Sequence, residues 1–244
     1  MLVGMVLLVL ALCSAVATAV LVRRGVLRWA GGLALTVVAL LTAGVAELTD
    51  NVVDRDGMTE IDATTLDWLI PHRTGWLTAV AKAISDLGDT PTMAAVAVAA
   101  CAWFAYRRRW PQFLLTGVAA AGAGIIVLAL KTIVGRQRPP VMDRLVTETN
   151  QSYPSGHTLG STVVVGVLTA LVVLALRRRA AQVAVATAAA AFVLLVGVSR
   201  LYLGVHWPTD VLAGWAIGTL WSTVCVAGYL RLRRPAPAGT AQPA

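Results

Sequence analysis

Seven apolar runs, each close to the length needed to cross a bilayer, limit what this chain can fold into more than any other feature. They are Leu2 to Val22, Ala30 to Val45, Thr92 to Tyr106, Phe113 to Leu130, Thr158 to Leu176, Ala180 to Val198 and Val211 to Leu230. A membrane-spanning helix takes about 20 predominantly apolar residues. The expected fold is therefore all-α, a polytopic transmembrane helix bundle. Composition agrees: 58% of residues are hydrophobic and 13% charged, with a mean hydropathy of +0.76, which excludes a soluble domain with an ordinary core. The first run sits where a signal peptide would, but it lacks basic residues ahead of it and is followed by Arg23 and Arg24, so a retained helix is expected.

The charges sort by side. Arg23, Arg24, Arg28, Arg107, Arg108, Arg109, Arg177, Arg178, Arg179, Arg231, Arg233 and Arg234 fall in alternate short connections, which the positive-inside rule assigns to the cytoplasm. All 12 acidic residues fall on the other side. This predicts a multi-pass cell-membrane protein with the N-terminus outside and the C-terminus cytoplasmic. The net charge of +8 then reflects topology, and no nucleic-acid partner is expected. The lipid bilayer is the expected surrounding. Residues 1–28 read as an additional N-terminal transmembrane helix, residues 29–232 as the main bundle, and residues 233–244 as a disordered cytoplasmic tail. Within the bundle, residues 47–89 mix acidic residues with Trp68, Trp76, Leu69 and Leu77. They read either as short amphipathic helices in the interface, flanking a lateral lipid entry, or as a polar cap. Asp86, Asp89, Thr90 and Pro91 read as the cap and first-turn proline of the third span. Cys13, Cys101 and Cys225 each lie in an apolar run and read as small buried hydrophobes.

Three polar clusters interrupt this pattern at the ends of apolar runs, where an unpaired buried charge is costly. The first is Lys131 to Pro139, K-T-I-V-G-R-Q-R-P, in which Arg136, like Arg144 further on, reads equally as a snorkelling side chain or a phosphate contact. The second, Tyr153 to His157, Y-P-S-G-H, opens the fifth span. A helix N-terminus there offers free N–H groups, Gly156 lets the backbone approach an anion, and Ser155 can cap the helix or donate to phosphate. The third, Ser199 to Asp210, places His206 before the seventh span and Asp210 in its first turn. From there the carboxylate can accept from one imidazole nitrogen and leave the other free as a nucleophile, or merely cap the helix. Gly214 and Gly218 form a G-x-x-x-G, read first as packing within the bundle and second as a dimer contact; the sequence leaves a homodimer undecided.

Together these clusters resemble the type 2 phosphatidic acid phosphatase family of membrane lipid phosphatases, whose superfamily includes vanadium haloperoxidases and bacterial acid phosphatases. The first family motif, Lys, six residues, Arg-Pro, falls on Lys131, Arg138 and Pro139. The second, Pro-Ser-Gly-His, falls on Pro154 to His157, and the third on Ser199, Arg200, His206 and Asp210. The resemblance implies a six-helix phosphatase core with one extra N-terminal helix. It implies His206, oriented by Asp210, as nucleophile and His157 as general acid. Lys131, Arg138, Ser155, Gly156 and Arg200 would hold the phosphate. Three cationic side chains would replace a metal, so neither metal nor cofactor is expected. The implied reaction is hydrolysis of a lipid phosphate or diphosphate, such as undecaprenyl diphosphate, phosphatidate or phosphatidylglycerol phosphate, on the outer face through a phosphohistidine. Two other classes stay open: a lipid-linked phosphotransferase with an acceptor other than water, and a non-catalytic phosphate-lipid binder or transporter.

Overall fold

The computed structural model describes residues 29–233, with side-chain surroundings from Leu35 onward. The expected span Leu2 to Val22, Cys13 and the tail beyond Arg233 lie outside the described residues. Within them the chain forms eight α-helices: α1 (Trp29–Asp54), α2 (Glu60–Leu69), α3 (Gly75–Leu87), α4 (Thr90–Tyr106), α5 (Trp110–Val134), α6 (Gly156–Ala175), α7 (Arg179–Tyr202) and α8 (Pro208–Leu232). Five, namely α1 and α5 to α8, are each long and apolar enough to cross a membrane, and α3 with α4, bent by 41°, add a sixth if the pair is counted as one broken span. The protein is an all-helical, multi-pass membrane bundle.

Local chemistry sets the ends. Asp89 caps α4 by accepting the Thr92 N–H at 2.6 Å, with Pro91 in the first turn. α5 ends where Gly135 takes the left-handed conformation (φ +61°) and its N–H closes on the Lys131 carbonyl at 3.0 Å. That turn leaves Lys131 in the last helical turn and releases Arg136 and Arg138 into a non-helical stretch.

Two boundaries differ from the sequence expectation. α1 continues past the apolar run to Asp54, because Leu48 and Val52 are buried in the main core with Tyr153 and Leu159. Thr49 also hydrogen-bonds the Tyr153 hydroxyl at 2.7 Å. The rest of the 47–89 segment, after Asp54, folds as α2 and α3 joined by short 3₁₀ turns. α2 turns Asp62 and Leu66 inward, while Trp68 and Trp76 stay exposed.

α6 is the centre of the bundle, with Leu159, Val163 and Val167 fully buried and α4, α5, α7 and α8 packed around it. Its closest neighbour is α8, through the G-x-x-x-G stripe. A Cβ on Gly214 would lie 2.8 Å from Thr158 Cβ, and one on Gly218 would lie 2.7 Å from Thr162 Cβ and 3.1 Å from the Leu159 carbonyl oxygen. The stripe is therefore filled by α6 of the same chain, as the packing reading expects. Two tryptophans of α8 fit the same way into other helices. Trp215 lies over Gly197 of α7 and donates its indole N–H to Val193 O at 3.1 Å. Trp221 lies over Gly122 of α5 and donates to Ala119 O at 2.9 Å. In lipid, where tails are as apolar as the helices, such close fits and bonds supply the association that hydrophobic burial supplies in water.

Gly218→Ala should lower stability by about 1–3 kcal/mol, the usual cost of overpacking a filled site. Gly228→Ala, where a Cβ meets nothing within 4 Å, should be tolerated. Thermal unfolding in detergent checks this; equal midpoints for the two variants would refute the packing.

Candidate active site

Four of the motif residues reach the site from helix ends. Lys131 comes from the last turn of α5, His157 from the first turn of α6, Arg200 from the last turn of α7 and Asp210 from the first turn of α8. His206 lies in the turn between α7 and α8 and is 1% exposed. Gly204 makes that turn with φ +71°, and a Cβ there would meet the Asp143 carbonyl oxygen at 2.3 Å.

His206 and Asp210 form the expected pair. Nδ1 of His206 is 3.3 Å from Asp210 Oδ2, and Nε2 is 3.1 Å from Arg138 Nη1. A guanidinium only donates, so Nε2 is the accepting nitrogen and Nδ1 carries the proton given to Asp210. Burial pushes the imidazole down to about 3, against the pull of Asp210. His206 is therefore neutral, with its lone pair on Nε2 aimed at the cationic cluster.

Asp210 is completely buried and saturated. Its Oδ2 also accepts from the Ser152 hydroxyl and from the Trp207 N–H at 2.9 Å, a helix cap. Its Oδ1 accepts from Arg136 Nη1 at 2.7 Å. The two readings of Asp210 are thus both realised: one carboxylate starts α8 and orients His206.

Arg136 has a role that the sequence did not suggest: it joins Asp210 to Asp62 of α2, with Nη2 2.5 Å from Asp62 Oδ2. Burial lowers its pKa, but Asp210 and Asp62 outweigh that and hold the guanidinium above its ordinary value. Arg144 staples the loop, donating to Pro139 O at 2.7 Å and Glu148 O at 3.3 Å.

The cationic cluster is Lys131, Arg138 and Arg200. Lys131 donates to the Gln151 carbonyl. Arg138 uses every N–H it has, on Asn150 O, Asn150 Oδ1, Val205 O, Glu148 and His206 Nε2. Burial lowers its pKa to about 10, which leaves it cationic at neutral pH. Arg200 reaches Ser85 Oγ at 2.6 Å and pairs with Glu148, while its buried Nε has no partner among the described residues. Burial would raise the Glu148 carboxyl, but Arg200 and Arg138 outweigh it and hold the group below the ordinary carboxylate range.

A cavity of about 810 Å³ opens on this cluster. Lys131, Arg138, Glu148, Gly156, His157 and His206 line its polar end. From there it continues between α4, α5 and α6 past Met93, Ala97, Ala120, Gly124, Gly160 and Val164. Ser155 lies beneath its floor, wholly buried, and caps α6 by accepting from Thr158 N at 3.4 Å and Thr158 Oγ1 at 2.9 Å.

Asp62, Glu148, Asn150 and Ser152 are site residues that the motifs do not contain. All but Asp62 come from the loop joining the first and second motifs, whose length was the signal available. Asp62 carried none.

Comparisons with known proteins agree with this geometry. The model of the PAP2 superfamily matches residues 112–234. Phosphatidylglycerophosphatase B of Bacillus subtilis (strain 168) is 33% identical over 154 residues, 61% of this chain and 73% of the relative. Decaprenylphosphoryl-5-phosphoribose phosphatase of Mycolicibacterium smegmatis is 35% identical over 147 residues, 58% of this chain and 73% of the relative. The crystal structure of a transmembrane PAP2 type phosphatidylglycerolphosphate phosphatase from Bacillus subtilis aligns with a TM-score of 0.74 at 28% identity, covering 81% of this chain and 98% of that one. With motif order, bundle and cavity in agreement, the chain belongs to the PAP2 superfamily and is a membrane lipid phosphatase.

Proposed function

We propose that this protein hydrolyses a lipid phosphate or diphosphate at the outer face of the membrane, through a phosphohistidine on His206. The observation that carries the reading is the shape and chemistry of the cavity that opens on the cationic cluster. It is cationic at one end, where Lys131 and Arg138 sit with His157 and His206, and apolar along its course between α4, α5 and α6. That complements an amphiphile with an anionic head. The names of the relatives point to phosphatidylglycerol phosphate and to a phosphorylated polyprenyl sugar as model substrates. Undecaprenyl diphosphate and phosphatidate have the same two-part chemistry.

In the proposed reaction the Nε2 lone pair of His206 attacks phosphorus, forming a P–N bond as the P–O bond to the leaving group breaks. His157 gives its proton to the departing oxygen. Lys131, Arg138, Arg200 and the Gly156 amide stabilise the three equatorial oxygens, and the developing charge meets donors already fixed in place. Ser155, which does not line the cavity, serves through its cap on α6, accepting from Thr158 N and Thr158 Oγ1 and so fixing the first turn that carries Gly156 and His157. A water molecule then attacks the phosphohistidine with His157 as base, and inorganic phosphate leaves. The bound imidazolium character of His206 during transfer is balanced by Asp210.

His206→Ala should abolish turnover on every substrate and leave no acid-labile phosphoenzyme. His157→Ala should lose on the order of 10²- to 10⁴-fold on a lipid monophosphate and much less on p-nitrophenyl phosphate, whose phenolate leaves without a proton. Rapid-quench assays of both variants on both substrates check this; equal losses for His157→Ala, or phosphoenzyme in His206→Ala, would reverse the assigned roles.

Because the side-chain cations are proposed to do the work of a metal, activity should survive EDTA. Vanadate, which mimics the trigonal bipyramidal transition state, should inhibit strongly. Loss of activity on chelation, with recovery on adding Mg²⁺, would count against the mechanism.

The outward orientation is tested by labelling intact cells. In a background lacking the native cysteines, one placed at Val141 should react with an impermeant thiol reagent and one at Arg178 should not. The reverse pattern would place the site on the cytoplasmic face.

A further inference from the structure

The His206–Asp210 pair is backed by a second carboxylate that lies far from it in sequence and before the residues matched by the family model, which begin at 112. Asp62, in the first turn of α2, is 3% exposed. Its Oδ1 accepts the Thr209 N–H at 3.0 Å, and its Oδ2 accepts the Thr209 hydroxyl at 2.7 Å and Arg136 Nη2 at 2.5 Å. Arg136 Nη1 in turn reaches Thr209 Oγ1 and Asp210 Oδ1, both at 2.7 Å. The guanidinium lies over the Trp207 ring, 5.6 Å from its centroid. Four groups therefore stand in line: Asp62, Arg136, Asp210 and His206.

A simple brace between α2 and α8 needs only the two Thr209 bonds. The geometry goes further, because Arg136 spends one arm on each carboxylate. Its charge-assisted bond fixes Asp210 Oδ1, which leaves Oδ2 to face Nδ1 of His206. Without it, a fully buried carboxylate would keep only the donors on its other oxygen. Asp62 then sets how firmly Arg136 is held.

We propose that Asp62 and Arg136 are positioning residues for the reaction, acting through Asp210 to fix the tautomer and aim of His206. This rests on the phosphatase reading with His206 as nucleophile. It also gives α2 a defined part in turnover: the helix carries the outermost member of the chain that orients the nucleophile. Neither residue touches the phosphate, so both should affect the rate of transfer and leave phosphate binding alone. Outer carboxylates behind a functional histidine typically cost about 10- to 100-fold in activity when removed, and a charge removed by an isosteric amide is the cleanest probe.

The test uses full-length protein in detergent, assayed for phosphate release from a lipid monophosphate, with vanadate inhibition measured alongside. Asp62→Asn should lower kcat on the order of 10- to 100-fold, with KM unchanged and vanadate inhibition weakened in step with kcat, because vanadate takes the transition-state geometry at His206. Arg136→Met should lower kcat at least as far. The double variant should lose no more than Arg136→Met alone, because Asp62 acts only through Arg136. If Asp62→Asn does not yield folded protein, Arg136→Lys carries the same test, since an ammonium cannot bridge both carboxylates in fork geometry. A kcat unchanged in Asp62→Asn, additive losses in the double variant, or a rise in KM with kcat intact would each overturn the inference. Failure of the phosphatase reading would look different: the wild-type protein itself would release no phosphate.

Discussion

Everything at the site depends on keeping one carboxylate ionised inside a membrane protein. Asp210 is wholly buried, and a buried charge that loses its partners costs several kcal/mol. The structure meets that cost with donors from four places: Arg136, Ser152, the Trp207 amide and His206. Each belongs to a different stretch of chain or a different level of structure. The fold of this end of the bundle supplies the donors that solvate this one group without water.

The two ends of the His206–Asp210 pair are gripped by arginines only two residues apart. Arg136 holds the far oxygen of the carboxylate and Arg138 donates to the far nitrogen of the imidazole. The left-handed turn at Gly135 is what brings both there, since a continuing helix would have carried them past the site. Below this end, small residues do two opposite jobs. Gly214, Gly218, Gly122 and Gly197 are notches filled by other side chains, whereas Ala97, Ala120, Gly124 and Gly160 leave a space unfilled and so form the apolar cavity.

Much of this was legible in the sequence because it is local. Apolar length marked the spans, and the spacing of Lys131, Arg138, Pro154 to His157, Arg200, His206 and Asp210 marked the site. Asp89 and Pro91 read correctly as a helix start. What failed to show was anything set by return of the chain through space. Asp62 looked like one more acidic residue in a polar segment, and its burial depends on where α2 lands. Arg136 could not be told from a snorkelling arginine, because the partner that decides the matter is Asp210, 74 positions away. Glu148 sat in a loop with no periodicity. The extension of α1 to Asp54 was missed because polar residues end an apolar run without ending a helix; Leu48 and Val52 continue the buried face among them.

Glu148 alters what binding means at this site. In the structure it pairs with Arg200 and Arg138, the side chains proposed to take an incoming phosphate. Binding is then an exchange of one anion for another. The free energy gained from the arginines is only the difference between a tethered carboxylate and the headgroup, and the same exchange run backwards helps to eject the product. On the proposed reaction, affinity given up would be recovered as rapid departure, which would suit a product anion that is soluble and a substrate that stays concentrated in the plane of the bilayer.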